Sequence, residues 1–249
     1  ERISGKNAGM AVRFKTRNDE KVMLKVAISY VSVEQARKNM LAELPGWDFE
    51  QVKQASFSEW NDWLGRIEVE GGSREQQIKL YTDLWHALLG RHVVSDADGH
   101  YMDMTSDFPR IRQIPLGEDG KPLYNHHNFD AWWGSHWSLN ILWSMAYPEV
   151  MDNFCNTMTD MYQNGGLIPR GPSGGNYTYV MIGDPAVSFF ASAYNKGICN
   201  YDAELAYEGL RKNAFVGGIR DHAGYEHSKT AHSGGCLLYT SDAADDRIS

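Results

Sequence analysis

The period of the apolar residues changes once along the chain, at Ser32, and that change limits the folds open to it. Before it, Val22, Leu24, Val26, Ile28 and Tyr30 alternate with mostly polar or small residues, the spacing of a half-buried strand. Residues 10–16 read as a weaker strand, and residues 17–20 as the turn between the two. Two strands do not form an independent sheet in water. Residues 1–31 are therefore expected to be the last strands of a larger β-domain that begins upstream. After Ser32 nearly every regular stretch has helical spacing, so the class is mainly α with an N-terminal β segment.

The helical part is punctuated clearly. Ser32 with Gln35, and Ser73 with Gln76, fit capping boxes, in which each side chain satisfies a free N–H at a helix start. The first helix is stopped by Pro45-Gly46, so residues 32–47 read as a linker helix. Phe49, Val52, Trp60, Trp63 and Leu64 form one apolar stripe, and Ile78, Tyr81, Leu84, Trp85 and Leu88 a second. Residues 101–124 read as an irregular loop whose length points to a function. Ser135 to Tyr147 reads as a helix, and Pro148 opens another that ends at Asn164-Gly165-Gly166. Asp184-Pro185 and Asp202 start two more. With about seven helices, often paired and joined by long loops, residues 48–235 read as part of an α/α toroid. Residues 236–249 fit no continuation of this pattern and read as a non-native tail.

Charge and composition exclude some partners. A net charge of −8 argues against nucleic acid, whose binders need basic faces to displace counterions. No apolar run approaches the ~20 residues of a membrane-spanning helix. Three cysteines, scattered through the chain, make neither a disulfide framework nor a zinc site, and they leave the compartment open.

Candidate chemistry concentrates between Tyr124 and Pro185. Four of the eight Trp fall between Trp132 and Trp143, close to Asp130 and His136. Sugars offer C–H faces that stack on aromatic rings and hydroxyls that need polar partners, so this mixture suits a carbohydrate cleft. Trp137 and Trp143 sit at helical spacing and read as core. Trp132 and Trp133, beside Asp130 and Gly134, read as functional. Arg170 has the stiff surroundings of a fixed clamp, and the glycine-rich loop at 171–175 permits close backbone approach to a ligand, with Asn176 just beyond it. No Gly-Lys-Ser/Thr follows, so the loop is not a phosphate loop. Asp130 and Asp184 are the best-placed carboxylates. His126, His127, Asp130 and His136 match no strong metal motif, and Asp96-Ala97-Asp98-Gly99 reads as a tight turn, not a calcium loop.

With these residues in view, the chain resembles glycoside hydrolase family 92, the calcium-dependent exo-α-mannosidases. The segments that carry the resemblance, in order, are Val31–Arg37, Gly65–Gly72, Leu80–Leu89, Val94–Tyr101, Asp160–Arg170, Met181–Asp184 and Ala193–Ile198. The resemblance implies a β-sandwich packed on an (α/α)6 toroid, of which this chain would hold the last strands, the linker helix and about half of the toroid. It implies inverting hydrolysis of terminal α-mannosides, a calcium ion that grips the terminal mannose, and a periplasmic or secreted protein. The substrate-binding candidates, read from the residues themselves, are Asp130, Trp132, Trp133, His136, Arg170, Asn176 and Asp184. Two departures stand out. Trp133-Gly134-Ser135-His136-Trp137 replaces a Trp-Asp-Thr-Phe-Arg-like segment, and Asn176-Tyr177-Thr178 replaces Asn-Glu-Thr. The catalytic acid and base and most calcium ligands are expected beyond Gly235, so the chain alone is expected to be inactive. The alternative is a non-catalytic glycan-binding or interaction module on the same toroid.

Overall fold

A computed structural model describes residues 9–129, 132–177, 179 and 183–221. Among the described residues there are seven α-helices and four short strands. The first three helices are α1 (Val33–Glu43), α2 (Phe49–Leu64) and α3 (Arg74–Leu89). Strands β1 (His92–Val93), β2 (His100–Asp103), β3 (Arg110–Gln113) and β4 (His127–Asn128) follow. The chain closes with α4 (Leu139–Ala146), α5 (Pro148–Gly165), α6 (Ala186–Asn195) and α7 (Ala203–Asn213).

Four of the helix starts, those of α1, α2, α3 and α7, are set by side chains, but one cap differs from the sequence reading. Ser73 and Gln76 form the full reciprocal box at the start of α3: Gln76 N–H donates to the Ser73 hydroxyl at 3.3 Å, and Ser73 N–H donates to Gln76 Oε1 at 2.8 Å. At α1, Ser32 Oγ accepts from Gln35 N–H at 3.1 Å. The Gln35 amide does not return to the cap. It donates to Asp98 at 2.9 Å, because the turn after β1 brings a carboxylate within reach. Asp48 and Asp202 cap α2 and α7 through the N–H groups of Gln51 and Leu205. Helix α5 has Pro148 in its first turn and ends on Gly166, whose φ of 86° is left-handed and suits glycine.

Two expected features turn out otherwise. Residues 9–31 form no strand. Val22, Leu24, Val26, Ile28 and Tyr30 alternate as a strand would, yet Leu24, Val26, Ile28 and Tyr30 are more than 60% exposed, because among the described residues no neighbouring strand supplies a ladder for them. The segment is instead held by polar contacts. Lys25 Nζ donates to Leu44 O at 2.6 Å, Asn39 Nδ2 to Ile28 O at 3.1 Å, and Ser29 Oγ to Asp96 at 2.9 Å. Conversely, the stretch expected as irregular, residues 101–124, contains most of an antiparallel hairpin. Tyr101 pairs with Arg112 and Asp103 with Arg110, and Leu116 and Pro122 add a bridge beyond. Alternation over four residues was too short a signal among the prolines.

Helix α5 is the centre. It packs on α4, α6 and α7 and meets β4. Its buried face carries Val150, Met151, Phe154, Cys155, Met158 and Met161. Around Phe154 stands an aromatic group that includes Trp132, Trp143 and Phe189. Trp63 and Tyr147 stack at 5.6 Å, and the Tyr147 hydroxyl donates to Trp63 O at 2.9 Å, so α2 is pinned to the start of α5. The outer faces of α2 and α3 leave Phe49, Phe57 and Trp85 exposed.

Candidate functional site

The tryptophans divide into two groups. Trp132 is fully buried. Its ring stacks on Phe129 at 4.4 Å, meets Phe154 edge-on at 4.7 Å, and its indole N–H points at the Met158 sulfur. That leaves it no face for a sugar, and its expected substrate contact becomes a core contact. Trp143 is core, as its spacing predicts; its indole N–H donates to Ala87 O at 3.2 Å. Trp133 is 57% exposed and Trp137 65%, and their rings stand 6.3 Å apart at 64°. His136 lies against Trp137 with ring centroids 3.7 Å apart. Trp137 was expected in the core. It is outside because residues 135–137 form a 3-10 turn and α4 begins only at Leu139, which rotates Trp137 off the helix stripe. Trp133, His136 and Trp137 thus form an exposed aromatic step at the head of α4.

Arg170 is not exposed at all. Its Nε donates to Gly183 O at 2.8 Å and its Nη2 to Ile219 O at 2.7 Å. Its own carbonyl accepts from Trp132 N–H at 3.0 Å. The guanidinium, expected to clamp a ligand, holds the backbone of two other segments. Asp184 lies beside it. Burial pushes the Asp184 carboxyl up to about 6, against the pull of Asn213 and of the Arg170 and Arg220 guanidinium groups. Asn213 also donates to Ile168 O at 2.8 Å, tying α7 into this cluster. Asn176 turns its Oδ1 to the next N–H, that of Tyr177, at 2.7 Å. Asp130 lies outside the described residues.

The glycine-rich loop is packed against protein. Gly174 N–H donates to Asn128 Oδ1, and Gly175 O accepts from Met104 N–H at 3.1 Å. Gly175 has φ of 70°, and a β-carbon there would come within 2.9 Å of Met102 O, so glycine is required for the loop to lie on β2. Residues 96–99 form the expected tight turn, with Gly99 N–H on Asp96 O at 2.8 Å. The Asp98 carboxylate is held low, despite burial, by hydrogen bonds from His100, Lys38 and Gln35. Its charge is used inside the protein.

The histidine pair is likewise internal. His126 stacks on Tyr101 at 4.1 Å, and burial drives its pKa down to about 3. His127 is held at about 4 by burial and by Arg91. Both rings are therefore neutral near pH 7. Among the described residues no three His, Cys, Asp or Glu side chains come together to hold a metal.

One acid escapes sequence reasoning. Asp160, on α5, is pushed up to about 6 by burial, with Asp103 adding to the rise and the Tyr124 hydroxyl opposing it. Tyr124 donates to its Oδ2 at 2.7 Å. Nothing in the helical spacing marks Asp160, because its partner comes from the far end of the hairpin segment.

Comparison with known proteins gives consistent results. A family profile described as the glycosyl hydrolase family 92 catalytic domain matches residues 35–244, a span that runs past Cys236. A protein of Arthroderma benhamiae named as an uncharacterized secreted glycosidase is 27% identical over 214 residues, covering 84% of this chain and 22% of that protein. Among solved structures, a family GH92 α-mannosidase from Bacteroides thetaiotaomicron is similar with a TM-score of 0.67 and 26% identity, covering 75% of this chain and 24% of its own. The same enzyme has been solved with mannoimidazole. A family GH92 inverting mannosidase from the same organism is similar with a TM-score of 0.68 and 24% identity, over 86% of this chain and 27% of its own. The chain spans about a quarter of the length of these relatives.

Proposed function

The chain belongs to glycoside hydrolase family 92, and from that premise we propose that the protein it represents is an exo-acting α-mannosidase that removes terminal mannose from glycans with inversion. The family match over residues 35–244 carries this reading. The similar solved α-mannosidase, also seen bound to mannoimidazole, supports the substrate class. The relative named as an uncharacterized secreted glycosidase supports a place outside the cytoplasm.

Inversion needs one carboxylic acid to protonate the leaving oxygen and one carboxylate to activate water on the opposite face, about 6.5–9.5 Å apart. Asp160 and Asp184 both have carboxyls near 6, but each is enclosed in its own cluster, one with Tyr124 and one with Arg170, Arg220 and Asn213. Neither is assigned the acid or the base. We infer that the 249-residue chain on its own does not turn over mannosides. What it offers a glycan is the exposed step of Trp133, His136 and Trp137, whose rings suit the C–H face of a pyranose. The calcium ion implied for the family is proposed for the whole protein. The described residues bring together no ligand set to hold it, so no step here is routed through it.

The test is an assay of the full-length protein on an aryl α-mannoside, with the anomer first released followed by proton NMR. Release of β-mannose first supports the reading. Glycan binding without mannose release would replace it with the non-catalytic module. Strong calcium-dependent hydrolysis by the 249-residue chain alone would overturn the inference that it is inactive.

A further inference from the structure

The segment between the turn at Gly99 and strand β4 is docked differently from the rest of the chain. Helix α5 turns a polar stripe toward it. Asn153, Thr157, Asp160 and Asn164 are spaced so that they share one face of the helix. Asn153 Oδ1 accepts from Asn125 N–H at 3.4 Å, and Thr157 Oγ1 from His127 N–H at 3.0 Å. Asp160 Oδ2 accepts from the Tyr124 hydroxyl at 2.7 Å. Asn164 makes two contacts: its Nδ2 donates to the Tyr101 hydroxyl at 3.1 Å, and its carbonyl accepts from Arg110 Nη2 at 2.9 Å. The close lie of the segment on the helix end depends on Gly165, where a β-carbon would come 2.5 Å from Thr105 Cβ. Apolar contact is sparse by comparison. Neither of the two apolar clusters among the described residues includes a residue from 100–124. Tyr101 and Ile114 are buried outside those clusters, and Phe108, Ile111 and Leu123 are exposed. The ion pairs of Asp103 with Arg110 and Arg112 lie within the segment itself.

We propose that residues 100–124 are a strap that opens from α5 as one unit while the helical core stays closed. Both ends of the unit are anchored. Just before it, Asp98 accepts from Gln35 and Lys38 of α1; just after it, β4 pairs with β1. Opening breaks the contacts of Tyr124, Tyr101 and Arg110 with α5 and that of Met104 N–H with Gly175 O. It removes no side chain from the apolar clusters. Water replaces the lost hydrogen bonds, so each costs little net free energy. Opening the core instead would expose Phe154, Met158 and Phe189, all fully buried. Once off α5, the hairpin of β2 and β3 is a lone two-stranded ribbon, which is at best marginally stable in water. Its ladder N–H groups then exchange with solvent together. Opening also uncovers the Asp160 carboxyl and the His126 ring on which Tyr101 stacks. The strap is independent of the catalytic reading and holds whether or not the parent protein is a mannosidase.

The experiment follows hydrogen–deuterium exchange of the full chain by mass spectrometry, at low concentration and under conditions where reclosing outpaces exchange. Peptides from 100–124 are expected to exchange with one common opening, at least about tenfold faster than peptides from α5. Two variants separate opening of the strap from opening of the whole core. Tyr124→Phe removes a bond that strap opening breaks, and is expected to speed exchange in 100–124 roughly tenfold. Phe189→Leu weakens packing on α6 that strap opening leaves intact. It is expected to speed exchange of α5 several-fold and to leave 100–124 unchanged. The proposal is overturned if Phe189→Leu speeds the strap and α5 alike, because the strap then opens only with the core. It is equally overturned if Tyr124→Phe leaves exchange in 100–124 unchanged. If either variant fails to fold, the unsubstituted chain decides by itself: equal exchange of 100–124 and α5 overturns the proposal.

Discussion

Arg170 shows how the work of one side chain depends on segments far from it in the sequence. Pro169, Gly171 and Pro172 announce a fixed backbone. Only the fold reveals that the guanidinium spends its donors on Gly183 O and Ile219 O. Arg170→Lys keeps the charge but loses the planar fork, and is expected to destabilise by about 1–3 kcal/mol, read as a lower midpoint in urea. An unchanged midpoint would mean the two carbonyl bonds are not needed. The buried titrating groups set the pH response. The carboxyls of Asp160 and Asp184 are raised to about 6. A raised carboxyl stabilises fully below its unfolded value near ~4 and loses that contribution as pH climbs through its folded value. His126 and His127, lowered to about 3 and about 4, act in the opposite sense: their contribution is present above ~6.5 and is lost as pH falls. Asp160→Asn keeps an acceptor for the Tyr124 hydroxyl and removes one titration. The melting temperature of this variant should therefore gain on the unsubstituted chain between pH 4 and pH 7. A gap that stays constant over that range would show that Asp160 titrates normally.

At the level of elements, the caps were legible because they are local. Ser73 and Gln76 are three residues apart, and any helix starting there can use them. Ser73→Ala should cost about 1 kcal/mol, measured by chemical denaturation, since it removes one partner of a reciprocal pair. Gln35 looked the same in the sequence and is not, because Asp98 arrives from a turn sixty-three residues later. The hairpin of β2 and β3 was hidden for a related reason. Each strand has four residues, and the pairing of His100 with Gln113 is a relation between them that neither displays alone. The opposite failure occurs at 22–30, where the alternation is clear but a strand also needs a neighbour.

At the scale of the whole molecule, the core is lopsided. Helix α5 is enclosed by α4, α6 and α7, whereas α2 contributes no fully buried residue. Phe49, Phe57, Ile78 and Trp85 on α2 and α3 are exposed, as are Leu24, Val26 and Ile28 before α1. Apolar surface on this scale favours association. The isolated chain is expected to self-associate as its concentration rises, seen as a growing mass in light scattering. A monomer across the range that melts in one cooperative step would contradict this.

By itself, the sequence determined the helical class, the helix starts and stops, the turn at Gly99 and the family. All of these depend on residues within a turn or two of each other, or on ordered segments that can be matched one at a time. The tertiary structure alone decided which of two adjacent tryptophans is core and which is exposed. It also decided that Arg170 and Asp184 share a cluster with α7, and that Asp160 meets Tyr124. Those outcomes depend on where distant segments dock, and burial, which sets both the protonation of the acids and the accessibility of the rings, is a property of the packed chain and not of any stretch of it.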